Sequence, residues 1–392
     1  MLLVGVGVMG RPYLAAARRL GVAVHAIETA DRAAALTGEV EHLTIAAGDT
    51  DEAWAAAAFD AAARRRPDGV LAFAEQHVLA AALVADELGL PGPSLRASAI
   101  SRDKALQRGR FAVAGVRQPE HLITGRLADA ADWAASRYPV VVKAVSRTGS
   151  DGVESVADAD AFADAAARRA GESPLLVESM VEGPEYSWEA LVRDGEVLCA
   201  NVTAKETTGP PRFIETGHRT GVLLDPAESA AVEDLAARVL TGLGMRTGIV
   251  HLEYRVAADG PTLMEVAVRT PGDFLMDLIC LSHDRDWFEL VVRLSLGMPV
   301  LEAQPRTPTP AAGYFPLTDP GVVTAIEGLD EVRAHPTVDR AGVLVDIGDT
   351  VPPAVSSMQR RIFVLFTGPD LPTLDKALDF TRHTLAVRTR PL

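Results

Sequence analysis

The residues of this 392-residue chain that are hardest to explain as packing alone sit in two apolar stretches, His251-Leu-Glu253 and Met264-Glu265-Val-Ala-Val-Arg269. Between them lies a turn, Ala258-Asp259-Gly260-Pro261, and each glutamate stands six residues from Asp259. Antiparallel pairing across that turn brings the two carboxylates near one another. Like charges so placed repel unless a cation lies between them, and hard oxygen ligands of this kind suit Mg²⁺ carrying phosphates. Arg269 follows Glu265 by four positions, on the same strand face or just past its end.

A second set lies upstream. Lys143 ends the run Pro139-Val-Val-Val-Lys143. An ammonium at the end of so apolar a strand is costly to bury without a partner, so it projects into a cleft. The loop that follows, Ser146-Arg-Thr-Gly149-Ser150-Asp-Gly152, is rich in hydroxyls and glycine. Its backbone amides suit phosphate oxygens while Lys143 neutralises charge; a surface loop after an edge-strand lysine accounts for these residues equally well. Glu178-Ser-Met180-Val181-Glu-Gly-Pro-Glu185 joins two strands. An extended hinge there offers backbone groups to an adenine edge, and Glu185 to ribose hydroxyls. A plain strand connection with solvated glutamates is the alternative.

Bulk properties narrow the field. With 38 basic and 53 acidic residues the net charge is −15, which repels phosphate backbones and argues against nucleic-acid or anionic-membrane partners. Two cysteines, Cys199 and Cys280, lack the spacing of a metal or redox pair. The apolar start, Met1–Gly10, lacks the basic region of a signal peptide, and no run is long enough to span a membrane. A cytoplasmic protein that binds small molecules is expected, with a homodimer as the symmetric default.

The elements that must position these groups read as α/β. Runs at Leu2–Val6, Val22–Ile27 and Gly69–Phe73 alternate with helices over Arg11–Leu20, Thr50–Arg66 and Gln76–Leu88, predicting a parallel sheet covered by helices. Pro91-Gly-Pro93 punctuates the chain. One helical stretch is expected over Ala97–Ala114 and another over Phe274–Leu296; a hairpin is expected at Asp194-Gly195. From Leu301 the chain becomes Pro-rich with short strands. The expected domains are 1–95, 96–300 and 301–392. Gly5-Val-Gly7-Val-Met-Gly10 is a literal G-x-G-x-x-G, and Glu28 closes the second strand about 20 residues on. That pattern alone points to an NAD(P)-dependent oxidoreductase, although any tight strand-to-helix turn produces it.

Taken in order, the pieces resemble the ATP-grasp superfamily over nearly the whole chain. Ser101-Arg-Asp-Lys104 followed by Phe111–Val116 looks like the start of its nucleotide-binding region. The resemblance implies an ATP-grasp fold of mixed α/β lobes: an N-terminal parallel α/β domain, a two-lobed nucleotide-binding region and a C-terminal β-rich lobe. It implies ATP contacts at Lys104, Lys143, Ser146, Gly149, Ser150, Gly152, Glu178, Met180, Val181 and Glu185, with Mg²⁺, or Mn²⁺ in its place, on Glu253 and Glu265. Arg269 takes the role of stabilising the transferred group. The family's asparagine two residues beyond the second metal-binding glutamate is Ala267 here, which cannot ligate a cation. Arg212-Phe-Ile-Glu215-Thr-Gly-His218 and Gly272-Asp273 are similar to the L-amino-acid (dipeptide) ligase branch, implying substrate contacts at Glu215, His218, Arg269 and Gly272; Glu75, at the end of the third strand, is a further candidate for a substrate amino group. The implied reaction joins an amino acid carboxylate to an amine through an acyl phosphate. Other ATP-grasp chemistry, of biotin-carboxylase or purine-pathway type, is the nearest rival.

Overall fold

A computed structural model of the chain describes residues 1–7, 9–300 and 307–391. The N-terminal region alternates β1 (Leu2–Val4), α1 (Arg11–Arg19), β2 (His25–Thr29), α2 (Ala30–Ala33), β3 (His42–Ala46), α3 (Asp51–Arg64), β4 (Val70–Leu71) and α4 (Val78–Leu88). Its strands form a parallel sheet in the order β3-β2-β1-β4. Leu3 packs with Tyr13 and Ala16 of α1 on one side. Leu2, Val4 and Ile27 pack with Trp54, Ala58 and Ala61 of α3 on the other. Strand β3 was not expected: as an edge strand, with His42 and Ile45 exposed, it lacks a buried apolar run.

Two helices follow, α5 (Leu95–Ser101) and α6 (Lys104–Val113), where one was expected. The break falls at Asp103, whose carboxylate accepts from the Leu106 amide at 2.9 Å and caps α6. Lys104 thereby becomes the first residue of a helix. A small lobe then contains β5 (His121–Thr124), α7 (Ala131–Ala134), β6 (Val140–Ala144), β7 (Val153–Val156), α8 (Ala159–Arg168) and β8 (Leu175–Ser179). Its antiparallel sheet, β5-β8-β6-β7, packs Val140, Val142, Leu175 and Val177 against Phe162.

The large lobe contains β9 (Glu185–Arg193), β10 (Glu196–Thr207), β11 (Glu215–Thr220), α9 (Pro226–Leu243), β12 (Gly248–Ala257), β13 (Gly260–Ala267), α10 (Leu275–His283) and α11 (Trp287–Ser295). The helix expected over 274–296 is two helices. Asp284 takes a left-handed conformation at φ 49° and Asp286 caps α11 through the Glu289 amide. The C-terminal elements are β14 (Ala311–Tyr314), β15 (Gly321–Glu327), α12 (Leu329–Arg333), β16 (Val338–Val343), β17 (Thr350–Val351), β18 (Ile362–Thr367), α13 (Leu371–Thr384) and β19 (Ala386–Arg390).

The expected boundary at 300/301 adjoins 301–306, which lie outside the described residues. Beyond them the chain does not build a wholly separate β lobe. Strands β14, β18 and β16 extend the large-lobe sheet into eight strands, β13-β12-β9-β10-β11-β14-β18-β16; only β17-β15-β19 form a sheet of their own. Among the described residues, no helix is long and apolar enough to cross a membrane.

Candidate active site

The two glutamates meet because the hairpin is irregular. Ala257 pairs with Gly260 and Tyr254 with Leu263, a register that, if continued, would set Glu253 against Met264 and turn Glu265 to the opposite face. A bulge between Glu253 and Tyr254 shifts the pairing by one, so that Glu253 and Glu265 are direct cross-strand partners. Helix α6 fixes this irregularity. Arg108 donates to the bulged Met264 carbonyl at 2.6 Å. The Gln107 amide group donates to the Val266 carbonyl and accepts from the Val266 amide, both at 3.0 Å, and so acts as a one-residue strand on the open edge of β13. Lys104, Gln107 and Arg108 share one helix face by their i, i+3, i+4 spacing.

Each glutamate is matched by a lysine. Lys104 Nζ lies 3.0 Å from Glu265 Oε1 and donates to the Arg147 carbonyl at 2.6 Å. Lys205 Nζ lies 2.5 Å from Glu253 Oε1, 3.3 Å from Glu215 Oε1 and 3.7 Å from Glu185 Oε1. Burial works against the Lys205 charge, but Glu253, Glu215 and Glu185 outweigh it and hold its pKa well above the ordinary lysine value. Burial likewise works against Glu253 ionisation, and Lys205 with His251 overcomes it, holding the carboxyl well below the usual range. His251 bridges two carboxylates, Glu189 at 3.0 Å and Glu253 at 3.3 Å. Lys205 escaped the sequence reading because it belongs to no motif. The signal was the spacing Asn201, Thr203, Lys205, a polar stripe of period two along a buried strand face.

One cavity runs between the small lobe and the glutamates. It is lined by Lys104, Lys143, Arg147–Ser150, Glu178–Val181, Glu185, Glu215, Glu253, Glu265 and Arg269 among others. Of the residues expected to contact the nucleotide, Ser146 is exposed and outside this lining, and Gly152 packs beside Ala144 and Arg147 instead. The Glu178 carboxylate is buried and ion-paired to Arg108 and, at 2.6 Å, to Lys143. Burial would raise its pKa; the two cations hold it at about 2. Glu185 accepts from Arg255 at 2.7 Å, and Arg255 also donates to the Val181 carbonyl at 3.1 Å. Only glycine fits at 183, where φ is +119° and an added Cβ would stand 2.1 Å from the Val256 carbonyl.

A second cavity, of about 500 Å³, adjoins the first and shares Thr148, Gly149, Glu215, His251, Glu253 and Arg269 with it. Glu75, His218, Gly272 and Asp273 line it beside Tyr13, Phe73, Phe274 and Phe288. Glu75 Oε2 lies 2.5 Å from Arg269 Nε, while its Oε1 is buried without a hydrogen-bond partner among the described residues. His218 is buried, with Nε2 3.6 Å from Asp273 Oδ2, too long for a hydrogen bond. Glu215 accepts from Lys205 and from the Ser357 hydroxyl. A Cβ at Gly272 would meet nothing within 4 Å, so protein packing does not demand glycine there.

The glycine-rich turn near the N-terminus is closed. Its Val8 lies outside the described residues, but the Val6 and Gly7 amides donate to Glu28 Oε2 at 2.9 and 2.8 Å. The groups that would cradle a pyrophosphate are taken by the chain's own carboxylate. Gly5 is needed for a different reason: at φ +70°, an added Cβ would stand 2.0 Å from the His77 ring.

A small antiparallel lobe carrying Lys143 faces a larger sheet carrying the paired glutamates, and Lys104 of α6 reaches both Glu265 and the Arg147 carbonyl, an arrangement of ATP-grasp type. The chain has the ATP-grasp fold, and family models of that superfamily match along it. The ATP-grasp domain model matches residues 136–277, the ATP-grasp N-terminal domain model 14–92, and the L-amino acid ligase C-terminal domain 2 model 313–390. Carnosine synthase 1 of Gallus gallus is 28% identical over 384 residues, covering 87% of this chain but only 41% of that protein. Thus the chain spans less than half the length of that relative. The formate-dependent phosphoribosylglycinamide formyltransferase of Leptothrix cholodnii (strain ATCC 51168 / LMG 8142 / SP-6) is 28% identical, covering 86% of this chain and 85% of that protein. The crystal structure of the L-amino acid ligase from Bacillus licheniformis superposes with a TM-score of 0.85 at 22% identity, covering 99% and 98% of the two chains, a likeness of fold.

Proposed function

We propose that the chain is an ATP-dependent ligase that joins an amino acid carboxylate to an amine, the amine of a second amino acid, with release of ADP and phosphate. The observation that carries this reading is the meeting of the two cavities at Arg269 and Glu253. A nucleotide in the first cavity and a carboxylate in the second would face each other across that guanidinium.

Glu253 and Glu265 suit Mg²⁺, because their direct cross-strand pairing sets two carboxylates side by side, and a bound ion there would neutralise nucleotide phosphates. Lys143 and Lys104 neutralise further charge. A substrate carboxylate oxygen attacks the γ-phosphorus as the bond to the ADP oxygen breaks, giving an acyl phosphate. The amine then attacks the acyl carbon, loses a proton, and phosphate leaves. Arg269 lies where both the transferred group and the later oxyanion gather charge. Exclusion of water from this cleft would protect the acyl phosphate from hydrolysis. Ordering the reactants supplies roughly 7–11 kcal/mol of barrier reduction.

Carboxylates of Glu75, Glu215, Asp273 and Asp277 line the second cavity together with aromatic side chains. Each is paired to an arginine or lysine, but Glu75 Oε1 keeps no partner among the described residues, and that acceptor beside the aromatic side chains suits an ammonium group and an apolar side chain. The test is phosphate release with pairs of amino acids in Mg²⁺, run beside formate and bicarbonate, with mass spectrometry of the products. Release with formate or bicarbonate alone would overturn the reading in favour of the formyltransferase or carboxylase type.

A further inference from the structure

Family resemblance implies more positive charge at this centre than the ligands here can hold. Ala267, in place of asparagine, contributes no donor atom, and it pairs directly with His251. That histidine is no substitute, since both its ring nitrogens are engaged, one by Glu189 and one by Glu253. Among the described residues, no group of three or more His, Cys, Asp or Glu side chains is arranged to hold a metal ion by itself.

What the site has instead is Lys205. Its ammonium is enclosed by carboxylates of three elements, Glu253 on β12, Glu215 on β11 and Glu185 on β9, and its side chain is 2% exposed. Such a group is not a surface lysine folded over: it is held on β10 behind Glu253, on the side away from Lys104 and Glu265. We infer that Lys205 is a resident cation that takes the place of a second divalent ion, so that the nucleotide-loaded protein holds one metal per chain.

Coulomb's law explains why the two are exclusive. A divalent ion set among Glu253, Glu215 and Glu185 would need the place the ammonium already holds and would be repelled by it, at an energy of several kcal/mol for an effective dielectric constant near 20, whereas an ion between Glu253 and Glu265 lies on the other side of Glu253. Removing the ammonium leaves Glu253, Glu215 and Glu185 without the cation they share, oxygen donors that can turn toward a second hard cation. A fixed ammonium also differs from a metal in kind. It cannot dissociate, so its share of the charge compensation is present before the nucleotide arrives.

The inference rests on the magnesium–nucleotide reading of the site, and one experiment separates the two. Mn²⁺ is counted by electron paramagnetic resonance of the free ion, in protein saturated with a non-hydrolysable ATP analogue whose own binding is followed by calorimetry. The expected result is one Mn²⁺ per chain in the wild type and in Lys205→Arg, and two in Lys205→Met. Two ions in the wild type, or one in both wild type and Lys205→Met, overturns the role of Lys205. Should Lys205→Met not fold, the wild-type count decides alone. Absence of any Mn²⁺ or analogue binding overturns the nucleotide reading and the inference with it.

Discussion

Arg269 is bonded to Glu75 on the second-cavity side and lies with Glu253 and Glu265 on the other. Arg269→Ala is therefore expected to lower kcat by roughly 10²–10³, the scale of losing one charge-stabilising donor, while calorimetry still detects nucleotide binding. Unchanged turnover would refute its placement at the reacting group. Glu178 belongs to structure as much as to binding, since it neutralises buried Arg108 and sits beside Lys143. Glu178→Ala leaves those cations unpaired and should cost about 3–5 kcal/mol in denaturant unfolding. The pH sign follows from its lowered pKa: the contribution is complete above the ordinary value of 4.5 and is lost as pH falls toward about 2. Unfolding midpoints of wild type and variant should converge over that window. At this scale Glu253, Glu265, Arg269 and Lys143 were legible, because a charge inside an apolar strand is conspicuous. Lys205 and Arg108 were not: one lies on a strand of mixed polarity, the other on a helix where polar residues are ordinary. Only the fold reveals that both face inward.

Helix α6 carries the largest discrepancy between pattern and geometry. Antiparallel pairing of the hairpin could be read from its turn, but not the bulge, which depends on Arg108 and Gln107 arriving from 159 and fewer residues away. Gln107→Ala should destabilise the protein by about 1–3 kcal/mol for each backbone group of Val266 left unpaired. It should also weaken Mn²⁺ affinity about 10-fold or more, as loss of a supporting contact behind a metal ligand does. A stability loss with unchanged metal affinity would mean that the bulge holds without α6. Helix ends were misread for a related reason. The breaks at Asp103 and Asp284 depend on single residues that cap or reverse the backbone, and the apolar periodicity runs through both.

Across the whole molecule, the C-terminal region reaches the lining of the first cavity through the turn at Ser357–Gln359. The Ser357 amide donates to the Gly149 carbonyl at 3.1 Å, tying the loop between β6 and β7 to the far end of the chain. Ser357 begins a short helical turn, where proline is tolerated but has no N–H to give. Ser357→Pro should therefore raise the ratio of ADP formed to product joined, while Ser357→Ala, which keeps that amide, serves as the control. Equal ratios in the two variants would show that the tie does not govern coupling. No local pattern announces this contact, since its partners are 208 positions apart in the chain and meet only when the lobes assemble.

The single sheet that runs from β13 to β16 has a bearing on how such a protein can be altered. Gly217 pairs with Tyr314 and Thr220 with Ala311, so the region carrying the paired glutamates and the C-terminal region are joined by backbone bonds rather than by side-chain contact alone. Transplanting the C-terminal part of a relative to change substrate range would require matching a strand register as well as a surface. A graft one residue out of step would turn every alternate side chain of β14 to the wrong face. A graft that failed to pair would leave β11 as a bare edge, open to pairing between copies. The seam that looks natural in the sequence, near residue 301, is therefore a poor place to cut, and exchange of side chains within the second cavity is the sounder route to new substrates.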